Sequence, residues 1–260
     1  MKRILLFTLC LAMLLSVVGC AVPGSSEPTP PATEPDPSAA PSTPDETDPA
    51  NPEESPYVED ATFRYLYASE IGTMNYLKTG TTADFKPAAN FVDTLIEYDQ
   101  YGVVKPCLAT EWSVSDDGLV WTLKLREGVK WYTYELEEYA ETTADDFVFG
   151  LEWILNPANE SSNVDTVCSV IKNAREYFDG TITDFSEVGV KAIDPYTLQY
   201  TLKDTCPYFL SMLTYVAFMP ANRAFAEECG EYYGTSNDSI LYNGAYYCTS
   251  WERACDGAQR

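Results

Sequence analysis

Between residues 57 and 251 the apolar positions recur in two rhythms, every second residue over short stretches and every third or fourth over longer ones. Alternation predicts strands and the 3.6-residue rhythm predicts helices buried on one face. Thr62 to Ala68 places aromatics at every second position and reads as a strand. Pro87 then reads as the opening of a helix whose Phe91, Val92, Leu95 and Ile96 share one face. Val120 to Leu125 alternates between the Asp116-Asp117-Gly118 turn and Gly128, a second strand. Thr143, three residues ahead of Asp146, caps a helix carrying Phe147, Leu151, Ile154 and Leu155, and Asn156-Pro157 stops it. Val188 to Ala192 and Thr197 to Leu202 flank Asp194-Pro195-Tyr196 as a hairpin. Tyr208 to Tyr215 reads as a short apolar helix, and Asn222 caps another that runs to Gly230.

Ahead of this region the pattern differs twice. Met1-Lys2-Arg3 precedes an apolar run from Ile4 to Val18 and the pair Gly19-Cys20. Basic, apolar and small segments in that order make a secretory signal, and the run is shorter than the ~20 residues of a spanning helix. Residues 21–60 are dominated by Pro, Ser, Thr, Ala, Glu and Asp, with no Lys or Arg and no aromatic before Tyr57. Such a segment cannot bury enough apolar surface to offset its ordering entropy. Residues 21–57 are therefore expected to be a disordered spacer, kept extended by proline and like charge.

Composition narrows the chemistry. With 40 acidic and 16 basic residues the formal net charge is −24. Nucleic acid is thereby disfavoured as a partner, since phosphate neutralisation needs clustered Lys and Arg. The absence of histidine removes imidazole ligation of metals and Ser/His or Cys/His catalysis. Beyond Cys10 and Cys20, six cysteines remain: Cys107, Cys168, Cys206, Cys229, Cys248 and Cys255. Export permits disulfides, six cysteines allow 15 pairings, and free thiols are the alternative. There is no CxxC pair to suggest zinc or a thioredoxin-type site. Trp112, Trp121, Trp131 and Trp153 fit either a stacking platform or the core. Burial is the commoner fate of so large an apolar ring, and Trp121, in an alternating strand, is expected in the core. Asp145-Asp146 and Glu137-Glu138 suit capping and a solvated face better than paired acid–base chemistry.

Several runs also resemble a known family. Val17-Val18-Gly19-Cys20 resembles the bacterial lipobox, in which the cysteine is acylated and becomes the mature N-terminus. Thr94-Leu95-Ile96-Glu97-Tyr98-Asp99, Pro106-Cys107-Leu108-Ala109-Thr110-Glu111-Trp112 and the run from Asp117 to Trp131 resemble the family 5 extracellular solute-binding proteins. Thr143 to Val148, Gly189 to Asp194 and Tyr242-Asn243-Gly244-Ala245-Tyr246 ahead of Trp251 continue in family order. The loop from Tyr132 to Tyr139 departs from the family's usual Asp-Gly-x-Pro turn.

This resemblance implies a mixed α/β fold of the type II periplasmic-binding-protein kind, with an inserted subdomain in the first of two lobes. Residues 1–20 would be the signal with its lipobox, 58–95 the start of lobe one, 96–220 the insertion, and 221–260 the return to lobe one. Family chains are nearly twice as long, so it implies an N-terminal fragment with the second lobe missing, one that binds peptide weakly when alone. It implies a peptide ligand, ABC permease subunits as partners, a membrane anchor through acylated Cys20, no cofactor and no enzymatic step. Thr79, Gly80, Thr81, Thr82 and Ala83 would line the cleft. Other expectations are a receptor for oligosaccharide or another solute, or a surface adhesin on the same scaffold.

Overall fold

A computed structural model describes Thr62, Arg64, Leu66 and residues 69–251. The signal, Cys20, the spacer, Cys255 and alternate residues of the Thr62 to Ala68 stretch lie outside the described residues. The chain divides into two units, 1–62 and 63–260, and the account below concerns the second.

Its centre is a four-stranded antiparallel sheet in the order β3-β4-β8-β7, made by β3 (Ala109–Val114), β4 (Val120–Leu125), β7 (Val190–Asp194) and β8 (Thr197–Thr201). The β7–β8 hairpin turns at Asp194-Pro195-Tyr196 as the turn residues predict, and β4 has the bounds its alternation predicts. In register, Leu123 faces Leu198 and Trp121 faces Tyr200. Two small hairpins flank the sheet: β1 (Ile96–Tyr98) with β2 (Val104–Pro106), and β5 (Lys130–Tyr132) with β6 (Glu138–Glu141).

Helix α2 (Ala144–Leu155) packs across β7 and β8. Phe147, Leu151, Ile154 and Leu155, its predicted face, are all fully buried. Asp146 accepts from the Thr143 amide at 2.8 Å, and the helix stops at Asn156. Beneath it Tyr200, Phe209 and Phe218 meet edge to face, with centroids 5.5 to 6.1 Å apart, an arrangement that aligns ring edges with ring faces. The remaining helices are α3 (Val164–Val170), α4 (Ala174–Phe178), α5 (Phe209–Met212) and α6 (Arg223–Cys229). Asn222 caps α6 by accepting from the Phe225 amide at 3.1 Å, and Gly230 ends it. The predicted helix over Tyr208 to Tyr215 is shorter, a single turn in α5.

Two expectations are corrected, and one open alternative is decided for the described cysteines. Pro87 does not open a helix: α1 runs Thr82–Phe91 with Pro87 inside it, and Leu95 and Ile96 lie beyond, Ile96 in β1. Thr81 holds the N-cap position, its hydroxyl donating to Asp84 and making no bond to the helix backbone. Trp121 is only half-buried, and the fully buried tryptophan is Trp131, 1 % exposed. Alternation in β4 reaches full burial only at Leu123 and Leu125. The Trp121 indole N–H is nonetheless shielded and unpartnered, as is the hydroxyl of Tyr200 opposite. Finally, Cys107, Cys168, Cys206, Cys229 and Cys248 are free thiols. No helix among the described residues is long and apolar enough to cross a membrane.

Candidate ligand-facing loop

The segment from Gly72 to Thr81, ahead of α1, is irregular, so its backbone groups must find partners outside a helix or sheet. Asp84, in the first turn of α1 and 4 % exposed, supplies one anchor. Its carboxylate accepts from the Gly72 amide at 2.7 Å, the Thr79 hydroxyl at 2.5 Å and the Thr81 hydroxyl at 2.6 Å. Burial alone would raise the pKa of this group, but these donors outweigh it and hold Asp84 below the usual carboxylate range.

Asn163 supplies a second anchor. Its side-chain amide donates to the carbonyls of Tyr76, Leu77 and Thr79 at 3.3, 3.2 and 3.0 Å. Ser161 donates to the Leu77 carbonyl, and the Ser162 amide to Lys78 at 2.9 Å. The third anchor comes from the chain's later part: Asn75 donates to the Tyr233 carbonyl at 3.2 Å, the Met74 amide to Gly234 at 2.8 Å, and the Tyr76 hydroxyl to Pro220 at 2.6 Å. Gly234 sits at φ +69°, and an added Cβ would fall 2.4 Å from the Asn75 nitrogen. Only glycine suits that approach.

These anchors decide what the loop can offer. Thr79 is buried and its hydroxyl is spent on Asp84; the Thr81 hydroxyl is spent in the same way. Gly80, Thr81 and Thr82 are exposed and Ala83 is half-buried. Gly80 has no hydrogen-bond partner on its own N–H or C=O among the described residues. A Cβ there would lie 2.8 Å from that of Ser162, so the loop passes close against the Asn163 anchor. Because residue 87 is proline, the Ala83 carbonyl cannot receive the usual i+4 bond. The loop therefore presents the unpaired main-chain groups of Gly80 together with the exposed Thr82 side chain.

An apolar recess lies alongside. Phe85 on α1 meets Tyr215 edge to face at 5.4 Å. Tyr215, Met212, Ser211 and Thr166 line a shallow cavity of about 370 Å³, and Tyr98 donates to the Ser211 hydroxyl at 2.7 Å. Of the predicted carboxylate pairs, Glu138 reaches Lys130 at 3.1 Å on the surface. Asp146 is buried and bonded to Thr143 and to the Trp131 indole at 3.2 Å. Neither pair faces the loop. Sequence reading placed Thr79 to Ala83 together but missed Asp84 and Asn163; Thr81-x-x-Asp84 carried the signal for the first, while nothing local marks the second.

Three comparisons set this mixed α/β fold beside known proteins. The model for bacterial extracellular solute-binding proteins, family 5 (middle region), matches residues 103–255. The oligopeptide-binding protein AmiA of Streptococcus pneumoniae is 41 % identical over 186 residues, covering 71 % of this chain and 28 % of AmiA. The substrate-binding domain of an oligopeptide ABC transporter from Bacillus anthracis superposes with a TM-score of 0.65 at 32 % identity, over 70 % of this chain and 34 % of that one. Listeria monocytogenes OppA bound to peptide gives 0.63 at 26 % identity, over 71 % and 36 %. The chain belongs to the family 5 bacterial extracellular solute-binding proteins. It spans a little over a quarter of the length of the oligopeptide-binding relative AmiA.

Proposed function

We propose that this chain is part of the substrate-binding lipoprotein of an ABC-type peptide importer. It would be held outside the cytoplasmic membrane by acylated Cys20 and raised from the lipid by residues 21–57. In this reading residues 58–95 and 221–260 belong to lobe one and 96–220 to its inserted subdomain. The bonds that join Met74 and Asn75 to Gly234 and Tyr233 support that division.

The observation that carries the ligand assignment is the unpaired backbone of Gly80 beside the Ala83 carbonyl, on a loop made rigid by Asp84 and Asn163. An extended peptide satisfies such groups with its own main chain, which gives affinity without reading sequence. The recess beside Tyr215 and Met212 accepts an apolar side chain of the bound peptide. Relatives described as oligopeptide-binding, AmiA among them, point the same way. The permease of the importer is the expected partner, and no covalent step is assigned to the chain. Amide shifts at Gly80 to Ala83 on titration with short peptides test this reading. Shifts with oligosaccharide alone would move the ligand to the carbohydrate class, and cell adhesion without ligand shifts would favour an adhesin.

A further inference from the structure

Two adjoining cavities beside α3, α4 and the β7–β8 hairpin share Lys172 and Thr201 in their walls. The larger, about 480 Å³, is lined by Lys172, Arg175 and Lys203 against a single acid, Glu176. The smaller, about 170 Å³, adds Lys191 against Glu187. Four of the chain's 16 basic residues thus line the two cavities beside two acids, with Asp165 and Asp179 paired to Arg175 nearby.

The cations differ in availability. Arg175 is engaged by Asp165 and, at 3.8 Å, by Asp179. Lys203 donates to the Cys168 carbonyl at 3.1 Å. Among the described residues no carboxylate lies within ion-pair distance of Lys172, Lys191 or Lys203. The apolar part of the larger cavity's wall is the half-buried Leu119, with Ile171 and Leu202 buried beside it. Cys168 lines it as a neutral thiol, since burial pushes its pKa up to about 11. The depression thus joins uncompensated positive charge to an aliphatic wall, and it shares no residue with the Thr79–Ala83 loop.

We propose that this depression binds a small organic anion, a phosphate or carboxylate group on a short apolar body. Lys172 and Lys203 take the charge, as point donors suited to either group, and Leu119 with the aliphatic stems of the lysines takes the body. The test titrates the full chain with butyl phosphate, butyrate and butanol, followed by thermal unfolding and amide shifts. The expected result is saturable stabilisation by at least one of the two anions with Kd below about 1 mM, none by butanol, and shifts at Lys172 to Glu176 and Thr201 to Lys203. Butyl phosphate binding more tightly identifies a doubly charged ligand; butyrate binding more tightly identifies a carboxylate. Combining Lys172→Gln with Lys203→Gln should weaken binding at least tenfold without moving the melting temperature of the free protein, since both side chains are exposed. Should the pair fail to fold, Lys172→Gln alone should still weaken it threefold or more. Absence of saturation by about 10 mM, or undiminished binding by the variants, overturns the proposal.

Discussion

The carboxylate of Asp84 accepts from the hydroxyl of Thr79 at 2.5 Å, both side chains being buried. That bond closes a loop whose other end is held by Asn163 on the Thr79 carbonyl at 3.0 Å. The Thr79 hydroxyl is therefore engaged in supporting the loop.

Replacing Asp84 by Asn keeps the size but removes the charge on which several donors converge. Hydrogen bonds to a charged group contribute about 1.5 to 3 kcal/mol each, and their loss should cost about 2 to 3 kcal/mol in urea unfolding. The pH dependence has a definite sign. Because the folded pKa is depressed, the stabilisation is complete above the unfolded value of about 3.9 and is lost as pH falls through the folded value. The Asn variant should lack that acid limb.

Asp146 should behave in the opposite sense. Burial raises its pKa to about 6, against the pull of the Thr143 amide, the Trp131 indole and the Asn222 amide. A raised carboxylate pKa means that the folded state binds the proton more tightly, so stability should rise as pH falls from 7 towards 4. Asp146→Asn should flatten the profile over that window while keeping the fold, as seen by thermal melts at stepped pH.

The tryptophans separate by burial. Trp131→Ala should cost about 3 to 5 kcal/mol. Trp121, half-buried beside Phe209 at 5.5 Å, should cost less on the same change. Equal losses in denaturant midpoint would show that β4 is more deeply packed than described.

If Cys20 carries the anchor, labelled palmitate should enter the wild-type chain in cells and be absent from Cys20→Ala. Label that persists in the variant would rule out acylation at that position.

Legibility in the sequence followed the range of the forces involved. The capped helix α2, the strand β4 and the hairpin at Asp194-Pro195-Tyr196 depend on neighbours within a few residues, and their patterns were readable. Pro87 misled because proline is commonest in the first helical turn, whereas here the helix has already begun at Thr82. Trp121 misled because alternation reports which face a residue occupies and not how far the facing layer extends. Asn163 was invisible: its three carbonyl acceptors lie more than 80 positions earlier in sequence, and no local pattern encodes that meeting. The basic depression was equally hidden, since Lys172, Arg175, Lys191 and Lys203 are spread through an acidic chain.

The central claim is that the exposed backbone from Gly80 to Ala83 meets an extended peptide. The described fold matches about a third of the chains of the solved relatives. The direct measurement is amide-resolved NMR of the purified chain titrated with a mixed pool of short peptides, alongside Gly80→Ala. The account predicts shifts centred on Gly80, Thr81, Thr82 and Ala83 that grow with peptide and are diminished in the variant, whose added methyl presses on Ser162. A titration that leaves those amides unmoved, or that shifts a different face and is indifferent to Gly80→Ala, would contradict it.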